Sequence, residues 1–147
     1  MKAERFVLDT NVLISAALSA GGAPAKVTLR VITEGRVIFS EPTFEEFRSR
    51  LWRPKFDRYL SIERRNQILH DFSAIADWVE IAGIAVPTPC GDPDDDKVVA
   101  TAIAGSVHWL VSGDADLLEL TPTAGIAIVS PSAMWEHMER HRSGRLA

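Results

Sequence analysis

Several acidic residues stand where the local character of the sequence changes. Asp9 ends the short apolar run Phe6-Val7-Leu8, and Glu46 lies in a helix-like stretch after a second run, Val37-Ile38-Phe39. Asp94, Asp95 and Asp96 open a helical pattern that carries Val98, Val99, Ala102 and Ile103. Asp114 and Asp116 follow a third apolar run, Trp109-Leu110-Val111. Carboxylates brought together from such separate places are costly: two like charges about 4 Å apart repel by about 4 kcal/mol at an effective dielectric of about 20. They must raise one another's pKa values or share a cation. Clustered carboxylate oxygens suit hard divalent ions, Mg²⁺ or Mn²⁺. Such an ion can activate water and neutralise a phosphodiester during in-line displacement.

Each of these residues also has a purely structural reading. Asp9 is a good helix cap. Thr43-x-x-Glu46 matches a capping box, in which Glu46 reaches back to a backbone N–H. The 92–96 run suits the start of a helix through its dipole, and Asp114 and Asp116 suit a turn. For the acidic set to be chemically idle, all four structural readings must hold together at one place.

The elements around these residues bring them to one place. Phe6–Leu8, Val37–Phe39, Val79–Ile81, Trp109–Val111 and Ile126–Val129 read as short apolar strands. Between them, helical patterns cover 12–18, 24–34, 43–51, 61–78 and 94–105, a single turn covers 117–120, and a final helix begins at Ser130-Pro131. Residues 87–93 read as a Pro- and Gly-rich loop. Strands alternating with helices indicate an α/β fold with a mostly parallel sheet, and uniformly apolar strands indicate helices on both faces. In such sheets ligands bind beyond the carboxyl ends of the strands, which is where all four acidic segments fall.

A chain of 147 residues fits one domain, 1–147, with 143–147 expected as a flexible tail. The net charge of −4 is too mild for holding nucleic acid by overall charge, so any such contact needs a local basic patch or bound cations. The one cysteine, Cys90, allows no internal disulfide and has no nearby His to activate it as a nucleophile. The N-terminal apolar run is shorter than a signal-peptide core, and no stretch approaches about 20 apolar residues. The expectation is a cytoplasmic protein with no membrane partner.

At these residues the chain resembles the PIN-domain family, in particular the PIN-type toxin components of bacterial toxin–antitoxin systems. The matching segments are Val7-Leu8-Asp9-Thr10-Asn11-Val12-Leu13, then Glu45-Glu46-Phe47 and Leu51 followed by Arg53-Pro54-Lys55-Phe56. Next come Asp92-Pro93-Asp94-Asp95-Asp96-Lys97-Val98-Val99-Ala100-Thr101-Ala102, and last Leu110-Val111-Ser112-Gly113-Asp114-Ala115-Asp116-Leu117-Leu118. The resemblance implies a three-layer sandwich with about five mostly parallel strands, and a Mg²⁺- or Mn²⁺-dependent endoribonuclease leaving 5′-phosphate and 3′-hydroxyl ends. It places Asp9, Glu46, Asp96 and Asp114 on the family's acidic positions, with Asp116 on a further one and Asn11 and Ser112 on polar positions that orient the site. Asp9 and Asp96 are the expected principal metal ligands, Glu46 holds the metal or positions its water, and Asp114 completes the set. The triple Asp94-Asp95-Asp96 admits registers one residue apart. Asp96 is chosen because Val99, Ala102 and Ile103 then lie three, six and seven residues further on. The resemblance also implies RNA as substrate, a homodimer, and silencing by a cognate antitoxin.

Residues 48–65 hold Arg48, Arg50, Arg53, Lys55, Arg58, Arg64 and Arg65 against Asp57 and Glu63, with Trp52, Phe56 and Tyr59 interleaved. Arg48, Arg53, Lys55 and Arg58 are candidates for guiding an RNA backbone; the alternative is a solvated helix with its aromatics in the core. His137 and His141 are four apart on a helix without a visible third zinc ligand. Trp78, Trp109 and Trp135 read as core or interface residues. Three other functions compete. A phosphatase with an aspartate nucleophile needs Asp-x-Asp after strand one, and Asn11 occupies its second position. A catalytically silent RNA- or protein-binding PIN-like module and a DNA or structure-specific nuclease are the others.

Overall fold

The computed structural model of the chain describes residues 3–87 and 92–146. Cys90 and most of the Pro- and Gly-rich loop lie outside them. Among the described residues, five strands form one sheet: β1 (Arg5–Leu8), β2 (Arg36–Ser40), β3 (Asp77–Val79), β4 (Trp109–Val111) and β5 (Ala127–Val129). They are ordered β3-β2-β1-β4-β5, and every pairing is parallel. The described residues also form seven helices that flank the sheet: α1 (Thr10–Leu18), α2 (Ala23–Glu34), α3 (Glu41–Leu51), α4 (Ile62–Ile75), α5 (Pro93–Ala104), α6 (Ala115–Leu118) and α7 (Pro131–Leu146). The last helix therefore runs into the stretch expected to fray. A single 3₁₀ turn, Pro54–Phe56, lies between α3 and α4. Among the described residues no single helix is long and apolar enough to cross a membrane.

Strand residues point alternately to opposite faces, and here both faces are buried. Phe6, Leu8, Val37, Phe39 and Val111 enter one core layer with Val12, Leu13, Val27, Val31, Phe47, Leu51, Phe72 and Met134. Val7, Ile38, Leu110 and Ile128 enter the other, with Val98, Val99, Ala102 and Leu117. This is why the strands read as unbroken apolar runs. Each side chain leaving water for these layers contributes roughly 1.5–3 kcal/mol.

The topology decides where a site can form. From β1 the chain winds outward through β2 to β3, then crosses back to β4 on the other side of β1 and continues to β5. The connections that leave β1 and β4 thus diverge, opening a crevice at their carboxyl ends. The backbone holds the two ends together, with the Asp9 N–H donating to the Val111 carbonyl at 2.9 Å.

Element boundaries depart from the sequence expectation in two regions. The helix expected from Thr43 begins at Glu41, because Ser40 caps it: the Ser40 hydroxyl accepts from the Thr43 N–H, and the Thr43 hydroxyl takes the Ser40 N–H. That reciprocal box is built on Ser40 and Thr43, so Glu46 is released from the capping role. The helix expected to reach Trp78 ends at Ile75, and the strand expected at Val79–Ile81 starts at Asp77, because pairing with Ile38–Ser40 completes the sheet. Trp78 consequently sits on an edge strand and is 46% exposed, although its ring still lies against Phe39 and Phe44. Trp109 and Trp135 are half-buried against the core as expected.

Candidate active site

Asp9 is the first residue past β1 and is 6% exposed. Its Oδ2 accepts a 2.8 Å hydrogen bond from the hydroxyl of Ser112, the first residue past β4. Ser112 is itself wholly buried, and its oxygen accepts from the Asp114 N–H at 3.0 Å. One hydroxyl therefore ties the ends of both central strands together and fixes the turn that presents Asp114. Burial pushes the Asp9 carboxyl above its ordinary value, while the Ser112 hydrogen bond pulls the other way. Asp114 also caps α6, its Oδ1 accepting from the Asp116 N–H at 2.9 Å. The Asp116 side chain is exposed in the first turn of α6.

The third acidic segment arrives on α5, whose N-cap is Asp92. Its Asp95 carboxyl meets the charges of Asp114 and Asp9. Asp95 shares a hydrogen bond with Asp114, and its pKa is pushed up to about 7, first by burial and then by the negative charges of Asp114, Asp92 and Asp9. Asp96 also borders a groove lined by Ile81, Ile84, Val86, Pro93, Lys97 and Ala100. The most deeply buried positions of α5 are Val98, Val99, Thr101 and Ala102. Asp95 precedes Val98, Val99 and Ala102 by three, four and seven residues, so it lies over their face.

Asp94 joins a second group with Glu46. The Glu46 side chain, 9% exposed, takes a 3.2 Å hydrogen bond from the Thr10 hydroxyl on Oε2. Its Oε1 forms a 2.7 Å ion pair with Arg50 Nη2, yet receives no hydrogen bond there. Arg50 Nη2 also stands 3.5 Å from Asp94 Oδ2, and its Nη1 donates to Asn11 Oδ1 at 3.3 Å. Lys97 Nζ pairs with Asp94 Oδ1 at 2.9 Å. The Lys97 contact leads in holding the Asp94 carboxyl below its ordinary value; burial raises that of Glu46, opposed by Arg50.

The structure thus brings together Asp9, Glu46, Asp114, Asn11 and Ser112 as the sequence suggested, and adds Asp95, Asp94, Thr10 and Arg50. The spacing of Glu46 and Arg50, four apart on a helix, is the signal that could have found Arg50. Thr10 carries no signal beyond standing next to Asp9. Arg48 lies on the exposed side of α3, doubly bonded to Glu45 at 2.6 and 3.1 Å, and Arg53, Lys55 and Arg58 are exposed beyond its end. Arg65 is no candidate for RNA: it is buried, stacked on Trp52 and paired with Asp57 at 2.9 Å. His137 and His141 lie ring to ring, and no three His, Cys, Asp or Glu side chains among the described residues are already gathered at ligand spacing.

The donor set nonetheless fits a hard divalent cation in chemistry. It is all oxygen, the Asp95–Asp114 contact is a like-charge conflict that a cation relieves, and Glu46 Oε1 is a buried oxygen without a hydrogen-bond donor.

The family model described as PIN domain matches residues 5–116. The uncharacterized protein MJ1680 of Methanocaldococcus jannaschii is 33% identical over 118 residues, covering 79% of this chain and 74% of that protein. Two crystal structures share the fold. VapBC2 from Rickettsia felis, bound to a DNA fragment from its promoter, superposes with a TM-score of 0.57 at 11% identity, over 86% of this chain and 98% of that one. PAE2754 from Pyrobaculum aerophilum gives a TM-score of 0.59 at 14% identity, over 93% and 90%.

Proposed function

Because this chain belongs to the PIN domain family, whose members are generally nucleases, we propose that it is a divalent-metal-dependent endoribonuclease acting as the toxin of a toxin–antitoxin pair. The observation that carries the reading is the meeting of Asp9, Asp95 and Asp114 at the crevice between β1 and β4, with Asp95 pushed up to about 7, first by burial and then by the charges of Asp114, Asp92 and Asp9. These three residues would hold Mg²⁺ or Mn²⁺. When bound, such an ion supplies Lewis acidity and positive charge opposite a phosphodiester.

The chain's own residues do the rest. Ser112 holds the Asp9 carboxylate in one orientation and places Asp114 beside it. Glu46, whose proton affinity burial raises, takes a proton from a water as that water attacks phosphorus in line, while the bond from phosphorus to the ribose 3′-oxygen breaks and that oxygen leaves as the 3′-hydroxyl with a proton from solvent. Thr10 and Arg50 hold the Glu46 carboxylate in place. Arg53, Lys55 and Arg58, exposed beyond the end of α3, lend positive charge for the flanking RNA backbone. The toxin role, a cognate antitoxin and a homodimer rest on resemblance to PIN-type toxins, supported by the fold shared with VapBC2.

The test is cleavage of an RNA panel by the purified chain with Mg²⁺ or Mn²⁺. Cleavage is expected to stop on chelation and in Asp9→Asn and Asp95→Asn, and to leave 5′-phosphate ends. Phosphate release from small phosphomonoesters supports a phosphatase instead. Tight RNA binding without cleavage supports a silent module, and preferential cutting of DNA a DNA nuclease.

A further inference from the structure

An acidic crevice repels the polyanion it is proposed to cut, so much of the hold on RNA has to come from beside it. Several nearby cations are already committed: Arg48 to Glu45, Arg50 to Glu46 and Asp94, and Lys97 to Asp94. Arg53, Lys55, Arg58 and Arg64 are exposed and form no ion pair among the described residues. The first three belong to the segment that begins where α3 ends, with the Arg53 N–H donating to the Arg50 carbonyl at 3.1 Å. Three aromatic side chains are interleaved with these cations, and the fold sorts them. Trp52 and Phe56 are half-buried and pack against the core. Tyr59 is 66% exposed and meets no other ring among the described residues.

The segment that presents Tyr59 is held from behind. Backbone hydrogen bonds fold it into consecutive turns, from the Phe56 N–H to Arg53, from Asp57 to Pro54 and from Tyr59 to Phe56, each at 3.0 Å. Leu60 anchors its far end in the core. Arg65, the fourth residue of α4, lies buried beneath. Its Nη1 pairs with Asp57 Oδ1 at 2.9 Å, and its guanidinium carbon lies 5.2 Å from the centroid of the Trp52 ring. Nε and Nη2 have no hydrogen-bond partner. A guanidinium buried in this way is a poor source of stability, since a well-packed apolar side chain does as well. What it adds is a tie between the start of the segment at Trp52 and its middle at Asp57.

We infer that Tyr59 is a stacking platform for an unpaired RNA base flanking the scissile phosphate, and that Arg65 is the positioning residue that holds it there through Asp57 and Trp52. The inference rests on the RNA-cleaving reading above and deepens it. Every base has a π-face to lay on the tyrosine ring, and the neighbouring phosphates fall to Arg53, Lys55 and Arg58. Arg65 itself touches no RNA.

The experiment measures binding of fluorescein-labelled oligoadenylate and oligouridylate to the full-length chain by fluorescence anisotropy, with Ca²⁺ in place of Mn²⁺ and over a range of salt concentrations. Tyr59→Ala is expected to weaken binding about 5- to 150-fold, and Tyr59→Phe to bind as the wild type does. Neither change removes a charge, so the salt slope stays as it was. Asp57→Ala tests the sign. Charge alone makes binding tighter, because a negative group leaves a basic surface; loss of the brace makes it weaker, and weaker binding is expected. Circular dichroism checks folding. If Asp57→Ala does not fold, the charge-neutral double variant Arg65→Met with Asp57→Asn replaces it, for which charge alone gives no change and loss of the brace again gives weaker binding. Wild-type affinity in Tyr59→Ala, or binding at or above wild-type strength in the brace variant, overturns the inference while leaving RNA cleavage intact. RNA left whole by the wild type with Mg²⁺ and with Mn²⁺, and neither probe bound, overturns the RNA-cleaving reading itself and the inference with it.

Discussion

Replacing Asp95 by Asn removes the charge in greatest conflict with its surroundings, and it should make the metal-free protein more stable while destroying its function. The carboxyl titrates at about 7 in the fold against an ordinary value of 3.8. A gap of that size corresponds to a ceiling of about 4 kcal/mol. The group keeps much contact with solvent, and screening brings the usable figure to about 1–2 kcal/mol. The sign follows from proton binding. Between pH 4 and 7 the folded chain holds a proton on Asp95 that the unfolded chain has released, so stability falls as pH rises through that interval and levels off above it. The amide carries no charge in either state and escapes the loss. Asp95→Asn should therefore match the wild type near pH 4 and exceed it by about 1–2 kcal/mol at pH 8, or about 2–8 °C in Tm for a domain of this size. Urea unfolding of chelator-treated protein at the two pH values measures this directly. Mn²⁺ at about 100 times its Kd should then lift the wild type by about 2.7 kcal/mol and leave the variant nearly unmoved, reversing their order. A variant less stable than the wild type at pH 8 without metal, or an advantage independent of pH, refutes the reasoning.

Ser112→Ala should cost about 1–3 kcal/mol, since it takes the donor from Asp9 and the acceptor from the buried turn at Asp114; it should also raise the Asp9 pKa further, which NMR titration of the carboxyl reads. Arg65 is buried with Nε and Nη2 unpartnered by hydrogen bonds. Arg65→Met should thus stay within about 1 kcal/mol of the wild type or exceed it, whereas Asp57→Ala, which strands the buried charge, should lose about 1–2 kcal/mol in urea unfolding. At Gly105 an added Cβ would lie 2.8 Å from Ile38 Cγ2 and 3.3 Å from Val107 Cγ1. Gly105→Ala should cost about 1–3 kcal/mol by overpacking, seen as a lower urea midpoint.

Much of this architecture is legible without coordinates, because it depends on local pattern. Apolar runs such as Phe6–Leu8 and Trp109–Val111 identify strands covered on both faces, and each of those two runs ends at a residue of the site. The Glu46 capping reading fails for an equally local reason: Ser40 is the better-placed cap, and the box forms three residues earlier.

By itself, the order of residues determined that four acidic segments would collect at one end of a parallel sheet, since strand and helix periodicity settle connectivity and direction. It could not determine which member of Asp94-Asp95-Asp96 enters the crevice. Successive helical residues point about 100° apart, and the apolar pattern of α5 locates its buried face only to within a residue. That choice, with the pairing of Arg50 to Asp94, was made by how α5 packs against β4 and α3, a matter of contacts between segments tens of residues apart. The Asp95 carboxyl reaches about 7 for the same reason: packing buries it, and its neighbours Asp114 and Asp9 belong to other parts of the chain, so only folding puts their charges beside it.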